Sequence, residues 1–116
     1  MKNSFFIAIL LLSAVLLPRT AKAQVIYSTD WKSDADVQVY VTKWKSDADL
    51  VVYKTTWKSD AQDKNDGIWY FTEWKSDAKK KIYFTEWKSD ADIIVYFSTY
   101  KSDAGWQSNK KKHLFY

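Results

Sequence analysis

Carboxylates, lysines, hydroxyls and indole rings are the groups in this sequence that could do chemistry, and they return in a fixed order. Nine positions recur six times as Tyr-x-(Ser/Thr)-x-(Trp/Tyr)-Lys-Ser-Asp-Ala, beginning at Tyr27, Tyr40, Tyr53, Tyr70, Tyr83 and Tyr96. The starts lie 13, 13, 17, 13 and 13 residues apart, so any account of the chain begins from an internal repeat. Trp31, Trp44, Trp57, Trp74 and Trp87, with Tyr100 in the sixth place, are flat rings at regular spacing. Such platforms can stack against sugar rings. The opposing expectation is that they fill the interior or the corners of the fold. Recurrence in every copy favours packing, because a ligand face normally uses one side of a symmetric array.

The acidic residues suggest calcium first. Asp34/Asp36, Asp47/Asp49 and Asp90/Asp92 form Asp-Ala-Asp pairs, each able to aim two oxygens at one point. Calcium takes about six to eight oxygens, usually with help from a glycine-rich loop. Here Gln62, Lys79 and Gly105 replace the second Asp in the other copies, and a Lys precedes every Ser-Asp. The expectation is therefore structural: Ser33, Asp34, Ser46, Asp47, Ser59, Asp60, Ser76, Asp77, Ser89, Asp90, Ser102 and Asp103 turn the chain at six corners. Their side chains can accept bonds from nearby backbone amides. No metal or other cofactor is expected.

Catalysis is not expected either. The chain has no cysteine, and its one histidine, His113, stands beside Lys110-Lys111-Lys112 near the C-terminus. No general base recurs at a fixed offset from the serines. A carboxylate pair working on a glycosidic bond needs two unlike environments, whereas six equivalent corners offer one environment repeated. The three lysines read as the solvated edge of a last strand, where they discourage aggregation.

The elements that carry these groups read as strands. Tyr, hydroxyl residue and Trp are two residues apart, which places them on one face. The residues before each Tyr are Ile26, Val39, Val52, Trp69, Ile82 and Val95, all apolar and facing the other way. Residues after it, Ser28, Val41, Lys54, Phe71, Phe84 and Phe97, are mostly apolar too. β-Branched and aromatic residues at period two favour strand over helix. Each repeat reads as one strand of seven or eight residues closed by a Lys-Ser-Asp-Ala corner. The 17-residue spacing places one long loop within Gln62–Gly67, dividing three copies from three. A seventh strand is expected from about Trp106 to Tyr116. The fold class is all-β: three strands and three corners make one circuit of a three-sided prism, and six copies make two. The alternative is an antiparallel meander closed into a small barrel.

The recurring Trp-Lys-Ser-Asp-Ala-Asp corners, the mid-array insertion, and Ala104-Gly105-Trp106 followed by Lys112-His113-Leu114-Phe115-Tyr116 resemble the septoil-knot family of small exported bacterial proteins. The resemblance spans residues 24–116. It implies a β-prism with its backbone tied in a seven-crossing knot. Neither composition nor spacing speaks of a knot, and true knots are rare among folds. No catalytic or binding residue is carried over by the resemblance.

Residues 1–23 read as a secretory signal: Lys2, an apolar run from Phe5 to Leu17, Pro18, and Ala21-Lys22-Ala23 before a cut at Gln24. The run is shorter than the roughly 20 residues of a membrane span. Residues 24–116 are expected to form one β-repeat domain. Of 18 basic residues, Lys2, Arg19 and Lys22 leave with the signal, so 15 remain against 14 acidic ones. A near-neutral chain without a broad basic face is not expected to bind nucleic acid. Of the 21 aromatic residues in the full chain, all but Phe5 and Phe6 lie after the signal and supply material for a core in place of disulfides. The expectation is a non-enzymatic scaffold or interaction domain in the periplasm or outside the cell, not attached to the membrane. Its partners would be envelope proteins or polysaccharide. The alternative is a carbohydrate-binding module using the aromatic stripe, and solvent exposure of the rings separates the two.

Overall fold

The computed structural model describes residues 24–61 and 65–116; the expected signal segment and Gln62–Lys64 of the long loop lie outside the described residues. The chain runs β1 (Val25–Ser28), η1 (Lys32–Asp34), β2 (Val37–Val41), η2 (Lys45–Asp47), β3 (Leu50–Lys54), η3 (Lys58–Ala61), β4 (Ile68–Phe71), η4 (Lys75–Asp77), β5 (Lys80–Phe84), η5 (Lys88–Asp90), β6 (Ile93–Ser98), η6 (Lys101–Asp103), β7 (Gly105–Trp106) and η7 (Asn109–Phe115), where η marks a 3₁₀ turn or helix. Every repeat is thus a strand and a corner, as the spacing predicts.

Six strands close on themselves in the order β4-β1-β5-β2-β6-β3, with β3 returning to β4. All six ladders of this ring are parallel. The meander is therefore excluded, since it would make neighbours antiparallel. All the way round the ring, strands of the first three repeats alternate with strands of the last three. The register explains how so short a corner can join two parallel strands. Ile82 of β5 lies opposite Ser28 at the end of β1 and opposite Val37 at the start of β2. The segment Thr29–Asp36 therefore strides over β5, bonded to it at both feet through Thr29 N–H to Ile82 O and Asp36 N–H to Lys81 O, each 2.8 Å. Successive strands are displaced along the body, so no long return connection is needed.

Alternation along the strands fills the interior. Ile26, Val39, Val52, Trp69, Ile82 and Val95 are all 0% exposed, in agreement with the apolar face read from the sequence. Each such burial contributes about 1.5–3 kcal/mol. Phe71, Phe84 and Phe97 meet with centroids 6.3–6.4 Å apart, and the Lys54 ammonium lies 5.2 Å from the Phe71 ring.

Three expectations are corrected. The strands have four to six residues, because the hydroxyl side chain after each Tyr takes over the next free backbone donor and ends the ladder early. The seventh strand is only Gly105–Trp106, antiparallel to β3. Residues Asn109–Phe115 form η7 instead, with Ser108 capping it through Lys110 N–H. Lys110, Lys111 and Lys112 therefore stand on a helical turn and not on a strand edge. Phe115 inserts into the core at 0% exposure, its ring 5.0 Å from Trp69 and 6.2 Å from Trp106. Asn65 ties this plug to the body: its Nδ2 donates to Lys112 O, and its Oδ1 accepts from Gln24 Nε2 and Trp106 Nε1. In the same loop Gly67 has φ +89°, and a Cβ there would stand 2.4 Å from Val51 O, so glycine is required.

Candidate functional site: an aromatic belt on the corners

Each corner is assembled by its own repeat residues. The Thr or Ser after the strand accepts a hydrogen bond from the backbone N–H of the aromatic residue two positions on. This bond is 3.1–3.2 Å in all six copies, from Trp31, Trp44, Trp57, Trp74, Trp87 and Tyr100. The carbonyl of the same aromatic residue then accepts from the Asp N–H three positions on, at 3.0 or 3.1 Å, opening the 3₁₀ turn. The backbone of every ring-bearing residue is thereby held at both of its polar groups.

The rings themselves point into solvent. Exposure runs from 67% at Trp87 to 72% at Trp31, with Tyr100 at 69%. The expectation that they pack in the interior is overturned. Period two places Tyr and Trp on one face only while the chain stays extended, and the hydroxyl–amide bond turns it after Thr or Ser. Tyr stays half-buried on the outer wall, the first three hydroxyl residues (Thr29, Thr42, Thr55) are buried, and the Trp swings outward.

Neighbouring corners are linked by lysine and aspartate in the order of the strands. Lys75 of η4 lies 2.6 Å from Asp34 of η1, Lys45 of η2 lies 3.6 Å from Asp103 of η6, and Lys101 of η6 lies 3.5 Å from Asp60 of η3. The triplet of η6 supplies both a donor, Lys101, and an acceptor, Asp103, to its two neighbours, which spacing within a single copy does not reveal. Lys75 also holds the Asp34 carboxyl below its ordinary value of 3.8, first by its hydrogen bond, against a smaller opposing push from desolvation. Lys81, 3.4 Å away, adds to the lowering.

The Asp-Ala-Asp pairs bond to backbone amides and to a repeat hydroxyl. In each pair with a resolved partner the second Asp clamps the strand its corner strides over. Asp36 Oδ2 accepts from Lys81 N–H at 3.0 Å, Asp49 Oδ2 from Ile94 N–H at 3.0 Å, and Asp92 Oδ2 from Gln38 N–H at 2.8 Å. The backbone N–H of the same Asp donates to that same residue's carbonyl in all three cases. The first Asp accepts from the repeat hydroxyl at Asp34, Asp60 and Asp103. The corner serines, Ser33, Ser46, Ser59, Ser76, Ser89 and Ser102, face solvent, so the amide-binding task expected of them falls to Thr and Asp. Among the described residues no group of three His, Cys, Asp or Glu side chains is placed to hold a metal ion.

Two open grooves lie beside the belt. One, of about 220 Å³, is lined by Trp74, Glu73, Asp77 and Tyr70, with Lys58 reaching in from η3. The other, of about 460 Å³, repeats the pattern with Trp87, Glu86, Asp90 and Tyr83, and Lys32 from η1. Glu73 and Glu86 were not singled out by the repeat, since they occupy its variable position before the aromatic residue. His113 lines neither groove; it is exposed on η7, and its carbonyl accepts from Tyr116 N–H.

No curated protein and no solved structure matches the chain significantly. A family model does, and it covers the whole repeat array through β7 while stopping short of η7. The chain belongs to the 7(1) septoil knot domain family, whose model matches residues 23–107.

Proposed function

We propose that this chain is an exported, non-enzymatic binding module whose belt of Trp31, Trp44, Trp57, Trp74, Trp87 and Tyr100 holds a carbohydrate polymer in the periplasm or outside the cell. The observation that carries the reading is the exposure of all six rings on backbones that are held at both ends. Burying an aromatic side chain would stabilise the fold by about 2–3 kcal/mol, and five Trp and one Tyr forgo that gain. Large exposed apolar surface marks an interaction site. The polarised C–H face of a pyranose matches the negative face of an indole. Rings on a fixed backbone lose little freedom on binding, which favours affinity. A repeated sugar suits a repeated ring.

Gel retardation through immobilised polysaccharides, followed by titration with tryptophan fluorescence, tests this. Retardation by at least one glycan, lost when the belt Trp residues are changed to Ala together, is the expected result. Absence of retardation by neutral, anionic and amine-bearing polymers alike, with capture of an envelope protein instead, would return the belt to a protein-docking scaffold. Export is tested by N-terminal sequencing of the periplasmic and culture fractions, where the mature chain should begin at Gln24.

A further inference from the structure

The belt is equivalent in its rings and unequal in its charge. The residue before each aromatic ring is Asp30, Lys43, Thr56, Glu73, Glu86 and Thr99 in chain order, all exposed. In the order of the strands these sort themselves. The consecutive strands β4, β1 and β5 lead into corners bearing Glu73, Asp30 and Glu86, while β2, β6 and β3 lead into Lys43, Thr99 and Thr56. Contiguity of the acidic arc is direct: Lys75 of η4 pairs with Asp34 of η1, and Lys32 of η1 lines the groove of Trp87, Glu86 and Asp90 on η5. The grooves beside Trp74 and Trp87 open on this arc. None of the ion pairs among the described residues uses Asp30, Glu73 or Glu86, so these three carboxylates remain for a ligand. On the opposite arc Lys43 precedes Trp44, where the first arc has Asp or Glu before each ring.

We infer that the binding site proper is the arc Trp74–Trp31–Trp87 with its carboxylates Glu73, Asp30 and Glu86, and that its ligand is a glycan bearing primary amines, an amino-sugar polymer of at least three units. This rests on the reading of the belt as a glycan surface and adds its place and its ligand class. An ammonium beside a stacked sugar meets both a carboxylate and the face of an indole, and each attracts it. A polyuronate would meet three like charges there.

The test uses three hexamers: glucosamine, neutral glucose and a uronic acid, each titrated into the mature protein. The glucosamine hexamer should bind about tenfold tighter than the neutral one at low salt, the sum expected of three exposed ion pairs. The uronic acid hexamer should bind weakest, and the preference should shrink near ~0.5 M salt. The triple variant D30N/E73Q/E86Q should lose the amine preference and keep neutral binding, while K43Q changes nothing. W31A/W74A/W87A should abolish binding, and W44A/W57A/Y100A should retain it. Equal affinity for the three hexamers, survival of the preference in the triple carboxylate variant, or equal loss from either Trp triple would overturn the arc and leave the belt reading standing. Failure of all three hexamers to bind would remove both.

Discussion

Replacing Phe115 by Ala probes whether the C-terminal turn is a structural stopper or an ornament. Phe115 is fully buried, its ring lies 5.0 Å from Trp69 and 6.2 Å from Trp106, and its carbonyl accepts from Gln24 Nε2 at 3.3 Å. A buried Phe→Ala change costs about 3–5 kcal/mol from lost transfer energy and the cavity left behind. Whole domains have only about 5–15 kcal/mol to lose, so F115A should remove a large part of the stability. With a slope of about 2 kcal/mol per molar urea, the midpoint falls by roughly 2 M. Near-UV circular dichroism is the suitable signal: five of the seven Trp rings are already wet, and Trp69 and Trp106 report on the plug. Curves from the folded and unfolded sides must coincide before midpoints are compared. Y116A is the control, since Tyr116 is 63% exposed and should shift stability by no more than about 0.5 kcal/mol. If F115A costs no more than Y116A, the core closes without the plug and the argument from burial fails.

Other consequences follow from the corners. T55V keeps shape but removes the acceptor of Trp57 N–H and the donor to Asp60 Oδ2, so it should cost about 1–3 kcal/mol and speed exchange of the Trp57 amide; unchanged exchange would show that the turn does not depend on the hydroxyl. D49A removes the clamp on Ile94 N–H and should cost about 1–2 kcal/mol in urea unfolding, whereas S46A, at an exposed side chain of the same corner, should stay within about 0.5 kcal/mol. Equal effects of the two would contradict the division of labour between Asp and Ser. Because Lys75 lowers the folded pKa of Asp34, that pair's contribution is present above the ordinary value of 3.8 and is lost as pH falls through the lowered one. K75M should return the Asp34 carboxyl toward 3.8 in a carbon-detected NMR titration, and an unmoved titration would assign the lowering to another group.

The amino-acid order by itself determined the units: a strand, a corner, an apolar inner face at Ile26, Val39, Val52, Trp69, Ile82 and Val95, and a break into three and three copies. These are local properties, written in period two and in a recurring tetrapeptide. The aromatic residues were legible as a stripe but not as a surface, because an extended-chain rule carries a face only as far as the chain stays extended. Thr29 and its counterparts end that stretch with one hydrogen bond, and the Trp then leaves the wall. The helical turn at Asn109–Phe115 escaped for a similar reason: Phe115 is drawn inward by Trp69, a residue 46 positions earlier. Tertiary structure alone decided the parallel, interleaved ring. That pairing depends on contacts between repeats whose sequences are nearly interchangeable, so no repeat names its neighbour. The acidic arc is its clearest product. Asp30, Glu73 and Glu86 are scattered along the chain, and only the order β4-β1-β5 sets them side by side.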